Sequence, residues 1–426
     1  MRRWLSVAFL LVSLTAPADE HPIEQGMRLD AYLVLVGRSN LELASQKLAV
    51  PIAEAQIAVA RVFPEPVLSG GLAAIDISGK GAPTAWDIGL SQTIEIGGKR
   101  GARVDVATQQ KSGAQADLDD FFRNLRANAT NDFIDALHNR MVVERKSQTL
   151  ANLERLVKVN DERLRAGDIG QVALIQSRVE AQRFHGEVLA AQGDAEVARL
   201  ALGLRIGSPA EKQVDPIGDL RIPTRSFELQ ALLEQAHKLR PDLRSKGAAL
   251  EAAKARLDLA HANRWEDLTL SGGFLRTLPG TGAFTQPAYN SLSAGLSIPL
   301  PLARIYRGEL DAAQAGVTQA EYSLRQAQLV VETDVRQALA RYDASVQRVQ
   351  VYRGGILADA DKVAEATLYS YQHGSATLLE VLDSQRTVNE VYLAYFDALS
   401  DYAKALVAVE TTSGLWDVRF EGQSSQ

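Results

Sequence analysis

Apolar and polar positions along this chain change their spacing several times, and the same series of changes occurs twice. In the first half, residues 28–61 have helical spacing and stop before Pro64. Two short stretches of alternating positions follow within 66–96. A proline-free stretch then runs from about Arg100 to Arg165, and at ~1.5 Å per residue a helix of that length spans roughly 100 Å. Each half is therefore predicted to hold a helix, a β-hairpin, a long helix and a returning helix of thirty to forty residues.

The alternation is clearest in the second strand of each predicted hairpin, at 66–96 and 267–300. One face of these strands is apolar, whereas the other is small and polar. The apolar positions are Trp86, Ile88, Leu90 and Ile94 in the first hairpin, and Leu292, Leu296 and Ile298 in the second. A transmembrane barrel wall requires this arrangement, because its outer face meets lipid and its inner face meets water. We predict that these side chains face lipid, the alternative being that the hairpins lie at the edge of a soluble sheet.

Four predicted strands are too few to close a barrel. An open sheet edge in lipid would leave backbone N–H and C=O groups without partners. If the strands lie in a membrane, several copies of the chain must therefore contribute to one barrel.

The second half repeats the first at a spacing of 202 to 207 residues. The matching segments are LSGG at 68–71 and 270–273, GLS at 89–91 and 295–297, RG at 100–101 and 307–308, and LIQS at 174–177 against VLDS at 381–384. Segments that recur in the same order indicate a duplication. We divide the chain into repeats at 28–203 and 226–413, with a Pro- and Gly-containing linker at 204–225 and a tail at 414–426.

The long helix of the second repeat is predicted to run unbroken from about Arg304 to Gln372. Its apolar residues follow a heptad spacing, which predicts packing along its whole length against other helices. The heptad positions are Val335, Leu339, Tyr342, Val346, Val349, Ile356 and Val363. Each long helix is expected to end in a tight turn, at Gly167 and Asp168 in the first repeat and at Gly374 and Ser375 in the second.

The first eighteen residues have the features of a signal peptide. Arg2 and Arg3 precede an apolar stretch, and Ala16-Pro17-Ala18 has the small residues of a cleavage site. A buried N-terminal helix is the alternative interpretation of residues 1–18. An exported chain without a membrane helix is periplasmic, secreted or located in the outer membrane, and the predicted strands favour the outer membrane.

Composition excludes several classes of site. The 426 residues include no cysteine, so thiolate metal sites, iron–sulfur clusters and an acylated N-terminal cysteine are excluded. Three methionines and six histidines, none of the latter in an i,i+4 pair, suggest no bound metal and no cofactor. A net charge of −6 argues against a nucleic-acid partner. No set of residues has the pattern of a catalytic site, so we expect no enzyme activity.

Two local motifs carry a resemblance to a known family: EIGGKRGAR at 95–103 and GSATLLEVLDSQR at 374–386. Together with the duplication, they make residues 28–413 resemble the TolC family of outer-membrane efflux proteins, and most of all its CzcC-type heavy-metal branch. The resemblance implies a mixed α/β membrane protein that forms a homotrimer. Its four strands per chain would build one 12-stranded barrel in outer-membrane lipid, and its helices a coiled-coil tunnel in the periplasm.

The resemblance also implies a function. The chain would be the passive exit duct of a tripartite system, receiving heavy-metal cations from an inner-membrane pump of the RND type through a periplasmic adaptor. Export of drugs or secretion of proteins remain alternatives within the family. A soluble periplasmic coiled-coil adaptor or scaffold is the alternative outside it.

Glu380 and Asp383 match the acidic pair that lines the periplasmic aperture in this family. Their spacing of three places them on one helix face, so a trimer would hold two stacked rings of carboxylates that attract cations. The first repeat has Ala173 and Gln176 at the matching positions. A solvated helix face is the alternative interpretation of the acidic pair.

The motif at 95–103 has a structural interpretation of its own. Gly97 and Gly98 are predicted to form a tight bend between strand and long helix. Lys99 and Arg100 would then lie near the inner leaflet of the outer membrane. A phosphate-binding loop is disfavoured, because the glycine spacing does not fit and no βαβ unit surrounds it.

Overall fold

The computed structural model describes residues 26–75, 82–208, 214–281, 285–300 and 307–416. The predicted signal peptide at 1–18 and most of the tail after Gly414 lie outside these residues.

The first repeat begins with three short helices and continues with a hairpin and two long helices. Its elements are α1 (Leu29–Ser39), α2 (Leu41–Lys47), α3 (Ala49–Ala60), β1 (Val67–Ala74), β2 (Ala85–Ile94), α4 (Lys99–Ala166) and α5 (Gln171–Arg205). Helix α4 has 68 residues and is thus roughly 100 Å long. The predicted order and kinds of elements are present.

The second repeat has the same order of elements with one difference. Its elements are α6 (Leu229–Leu239), α7 (Pro241–Ala262), β3 (Leu268–Thr277), β4 (Tyr289–Ser297), α8 (Arg307–Val351), a π-helical turn (Tyr352–Ile356), α9 (Leu357–Gln372) and α10 (Leu378–Ser413). The predicted unbroken helix from Arg304 to Gln372 is therefore wrong at 352–356, and residues 304–306 lie outside the described residues.

The π-helical turn displaces the apolar seam of the second long helix. Val349 is buried as the heptad predicts, but Ile356 and Val363 are exposed, at 40% and 56%. The side chains that pack inward are instead Leu357, Ala364 and Tyr371, again seven residues apart. A π-helical turn inserts one extra residue into a helix, so every later seam position moves on by one.

The four described strands form one antiparallel sheet in the order β1-β2-β3-β4. The pairing of β2 with β3 joins the two repeats, with Ile94 opposite Leu268 and Ala85 opposite Thr277. Strands β1 and β4 are the edges of this sheet. All helices lie beyond the ends marked by Val67, Ile94, Leu268 and Ser297, so the hairpin turns form the far end of the molecule.

The helices pack along α4, which contacts α5 of its own repeat and α7 and α10 of the other. The main core surrounds the middle of α4 and includes Phe133, Tyr32, Tyr342 and Tyr402. The linker is held on this core by two tyrosines: the Tyr402 hydroxyl donates to the Pro223 carbonyl at 2.9 Å, and the Tyr342 hydroxyl to the Arg225 carbonyl at 2.8 Å. No helix among the described residues combines the length and apolar character that a membrane span requires.

Candidate functional site

One face of the sheet is apolar and exposed. It carries Leu90, Phe274 and Leu292 and is called the outward face below. All seven side chains predicted to face lipid are exposed, from Trp86 at 37% to Leu292 at 86%. Backbone pairing brings them into common rows, with Leu90 opposite Leu68 and Leu292 opposite Phe274. The structure thus gathers these seven positions on one surface, and their contact with lipid remains a prediction.

The opposite face is lined mostly by serine, threonine and glycine, and its large side chains are Val67, Leu275 and Tyr289. One row across the sheet consists of Ser69, Gly89, Gly273 and Ser293. A Cβ atom on Gly89 would lie 2.8 Å from the Ser69 hydroxyl, and one on Gly273 equally close to the Ser293 hydroxyl. The glycines therefore leave room for the serine hydroxyls. In the described strands, Asp87 is the one charged residue of this face.

The strand-to-helix junction is the predicted bend. Gly97 and Gly98 have φ of 76° and 78°. A Cβ atom on Gly97 would lie 2.8 Å from the Trp265 ring, so glycine allows this close approach. The Lys99 side chain is 10% exposed, and its Nζ forms an ion pair with Asp267 at 2.7 Å.

Arg100 is held against the end of α3. Its Nε donates to the Arg61 carbonyl at 2.7 Å, and its guanidinium lies 4.1 Å from the centroid of the Phe63 ring. Phe63 and Trp265 occupy equivalent places in the two repeats and are 60% and 63% exposed. The end of the sheet nearest the helices therefore has a girdle of aromatic and basic side chains.

The two helix ends farthest from the sheet have matching turns. Gly167 and Gly374 adopt left-handed φ of 83° and 78°. The next residue donates back into the helix, Asp168 N–H to the Arg163 carbonyl at 2.9 Å and Ser375 N–H to the Ser370 carbonyl at 2.9 Å. This is the Schellman type of helix end, in which glycine avoids the steric cost of left-handed φ.

Glu380 and Asp383 lie on the first turns of α10, and both are exposed. The Glu380 carboxylate accepts hydrogen bonds from the Thr377 N–H at 2.6 Å and the Thr377 hydroxyl at 3.0 Å. The Glu380 N–H donates to the same hydroxyl at 3.3 Å, which completes a capping box. The Thr377 backbone and hydroxyl bonds hold the pKa of Glu380 below its usual value.

The capping box was not anticipated as a role for Glu380, although the spacing Thr-x-x-Glu is its sequence signature. The first repeat has no side-chain cap at this place, because Gly170 precedes α5 where Thr377 precedes α10. Glu380 thus stabilises the helix end. Asp383 is exposed and, among the described contacts, takes no part in this capping box.

A link that was not predicted from the sequence lies near the same end and joins α4 to α9. The buried Tyr371 hydroxyl donates to Asn160 Oδ1 at 2.7 Å. Arg163 donates to the Tyr371 carbonyl at 3.0 Å, and its guanidinium lies 4.8 Å from the centroid of the Tyr371 ring. Nothing in the sequence signals this contact, because Asn160 and Tyr371 are 211 residues apart.

A second link lies closer to the π-helical turn. The Arg145 guanidinium of α4 lies 3.8 Å from the centroid of the Tyr392 ring on α10, and the Tyr392 hydroxyl donates to Asp361 of α9 at 2.7 Å. Burial lowers the pKa of Arg145 and raises that of Tyr392. Together, the two links fasten the α9–α10 pair to the first repeat.

Within the described ranges, no three histidine, aspartate or glutamate side chains cluster as metal ligands.

Comparison with known proteins agrees with this arrangement. The family model described as "Outer membrane efflux protein" matches the chain twice, at residues 32–208 and 232–415. The cobalt-zinc-cadmium resistance protein CzcC of Cupriavidus metallidurans is 26% identical over 391 residues, covering 91% of this chain and 90% of CzcC. The pyoverdine export outer membrane protein OpmQ of Pseudomonas aeruginosa is 28% identical over 315 residues, covering 72% of this chain and 65% of OpmQ.

A solved structure of an efflux channel shows the same fold. A crystal structure of CusC superimposes with a TM-score of 0.74 at 19% identity, covering 91% of this chain and 92% of that chain. The resemblance to TolC-like channels of the CzcC type is confirmed, and these relatives are transport proteins rather than enzymes. The match favours a channel over a soluble adaptor or scaffold. The chain belongs to the family of outer membrane efflux proteins.

Proposed function

We propose that this chain is the exit duct of a tripartite efflux system in the outer membrane of a Gram-negative bacterium. The observation that carries the proposal is the single sheet with an apolar outward face, a small polar inward face and two edge strands. Three copies, each with four strands, would close one 12-stranded barrel by pairing β4 of one copy with β1 of the next. Closure removes the edges that lipid does not tolerate.

The long helices would then continue the barrel as a periplasmic tunnel. Its far end would carry Glu380 and Asp383, three of each in a trimer. Facing carboxylates at a constriction repel one another and attract cations. The Tyr371–Asn160 link supports a closed state, because it fastens the helix before the acidic pair to α4.

The matching turns at the helix ends are the proposed contact with a periplasmic adaptor. Val172 and Leu379 take the same place after the two turns and are 67% and 76% exposed. Exposed apolar side chains grouped at one end of a molecule favour a protein contact. The duct itself would be passive, and an inner-membrane pump of the RND type would supply the energy.

The substrate we propose is a divalent heavy-metal cation. CzcC is named for resistance to cobalt, zinc and cadmium, and it matches nearly the whole chain. The acidic pair fits passage of cations. OpmQ, named for pyoverdine export, shows that organic substrates also occur among the relatives.

Two experiments test the proposal. In cell fractions, we expect a heat-modifiable trimer in the outer membrane, and a soluble monomer would contradict the duct. For the substrate, a deletion strain should become sensitive to cobalt, zinc or cadmium. Sensitivity only to antibiotics would keep the duct and overturn the metal substrate.

A further inference from the structure

The outward face of the sheet carries one charged residue among the described strands, Arg276 near the end of β3. It is exposed, and alternation along β3 places it on the same face as Phe274 and Leu270. Backbone pairing sets it between Trp86 on β2 and Asn290 on β4. The Arg276 guanidinium donates to Asn290 Oδ1 at 3.3 Å. That bond uses one of five N–H groups, so the guanidinium keeps a wide donor capacity.

The position of Arg276 along β3 indicates its depth in the membrane. It lies one residue before the end of β3 at the hairpin turns, whereas the apolar rows of Ile88, Phe274 and Leu292 lie closer to the helices. Arginine on a lipid-facing surface is strongly unfavourable at the membrane midplane and nearly neutral at the interface. Trp86 beside it, with its ring 5.7 Å from that of Phe274, belongs to the aromatic belt expected at that depth.

The opposite end of the outward face is different. There Arg100 stacks on Phe63 and donates to the Arg61 carbonyl, so its guanidinium is engaged by the chain itself. Arg276 instead pairs with a neutral amide, which leaves its charge uncompensated by that partner. Among the described residues, the sheet therefore offers a cation without an anionic partner at the end with the hairpin turns.

We propose that Arg276, with Asn290 beside it, binds the phosphate of a lipid headgroup in the outer leaflet. The inference rests on the proposed function, because a periplasmic tunnel places the hairpin turns on the outer side. Guanidinium groups bind phosphate through paired, charge-assisted hydrogen bonds. The lipid that presents phosphates at this depth is lipopolysaccharide, through its lipid A. Three such sites would surround a trimer.

Lipid binding by the purified trimer in nanodiscs tests the proposal. The probes are lipid A with both phosphates and enzymatically dephosphorylated lipid A, with retained lipid counted by native mass spectrometry. Wild-type trimer should retain the phosphorylated form about tenfold better, which is the discrimination expected of one charge-assisted contact. R276Q should lose this preference and R276K should keep part of it. R264Q is the matched control, since Arg264 is exposed just before β3, at the end of the sheet away from the hairpin turns.

Each outcome decides a different point. Equal retention of both lipids by wild type, or an unchanged preference in R276Q, overturns the headgroup site. Saturation by inorganic phosphate alone, without a preference between the lipids, overturns it in favour of a free-phosphate site. A trimer of R276Q that still fractionates with the outer membrane keeps the proposed duct intact whatever the lipid result. A wild-type chain found outside that membrane removes the duct itself.

Discussion

The hydroxyl of Tyr371 donates a 2.7 Å hydrogen bond to Oδ1 of Asn160 and so joins α9 of the second repeat to α4 of the first. Tyr371 is 4% exposed and also lies on the displaced seam with Leu357 and Ala364. The position of this ring thus depends on the π-helical turn, which ends at Ile356, about two heptads earlier in the helix. The π-helical turn therefore determines where Tyr371 meets Asn160, close to the helix end that carries the acidic pair.

Replacing Tyr371 by phenylalanine should loosen the closed state. The change removes one buried hydrogen bond and leaves Asn160 Oδ1 without that donor, at a cost of about 1–3 kcal/mol. We expect a higher open probability in planar-bilayer recordings. Tyr369→Phe is the matched control, because Tyr369 is 63% exposed on the same helix. Equal open probabilities in the two variants would contradict a fastening role.

Removing both acids, by Glu380→Gln with Asp383→Asn, should lower the preference for cations. The change removes the proposed rings of charge and retains a hydrogen-bonding side chain for the cap. Reversal potentials in a salt gradient measure the permeability ratio. Thr377→Ala is the control: it removes the cap, at about 1 kcal/mol of local helix stability, and keeps both charges. Unchanged selectivity in the double variant would sink the aperture assignment.

Acid should fray the first turn of α10. The folded-state pKa of Glu380 is lowered by its bonds to Thr377, so its contribution to stability is present above the unfolded pKa, about 4.3. That contribution is lost as the pH falls through the lower folded value. Amide exchange of residues 378–381, corrected for intrinsic rates, should therefore rise below about pH 4. Glu380→Gln should show no such pH dependence, and an identical acid response in this variant would exclude Glu380 as the cause.

Alanine substitutions at the two adjacent glycines of the π-helical turn should have opposite effects. Gly355 has φ of 140°, where an L side chain is strained, so Gly355→Ala should destabilise the trimer by about 1–3 kcal/mol per chain. Gly354 is helical and a Cβ atom there meets nothing within 4 Å. Gly354→Ala should therefore stabilise by about 0.5–1 kcal/mol. Chemical denaturation of the detergent-solubilised trimer compares the stabilities of the two variants. Equal effects of the two substitutions would contradict the left-handed φ of Gly355.

Asp87→Asn should reduce cation preference separately from the acidic pair. Three carboxylates in the barrel wall, screened over ~8 Å, would raise the cation-to-anion ratio by about two- to threefold. Asp87→Glu, which keeps the charge, should behave like wild type. An effect of the same size in both variants would mean that side-chain shape rather than charge is responsible.

The faces of the sheet could be predicted from the sequence, but its pairing could not. Alternation with a period of two assigns Leu90 and Leu292 to one side and Ser91 and Ser293 to the other. It says nothing about which strands are neighbours. The pairing of β2 with β3 depends on where two helical layers bring residues 85–94 and 268–277, and no local signal encodes that.

The heptad prediction is wrong after Val349 for a local reason. Counting by sevens assumes that every turn has the same number of residues, and the π-helical turn adds one. Gly354-Gly355 is the visible signal of irregularity, since two adjacent glycines weaken a helix. The sequence shows that a break is favoured there but not whether it adds a residue, removes one or ends the helix.

The difference between Thr377 and Gly170 has a consequence for the symmetry of the assembly. Around a trimeric barrel, six similar hairpins would alternate in near-sixfold order, because the repeats contribute equivalent strands. At the other end, tips built from Gly167 and from Gly374 would alternate, and only the latter carry a capped helix and an acid pair. Any protein that contacts all six tips must therefore present two kinds of contact surface, so a partner with six identical contacts would fit only half of the tips equally well.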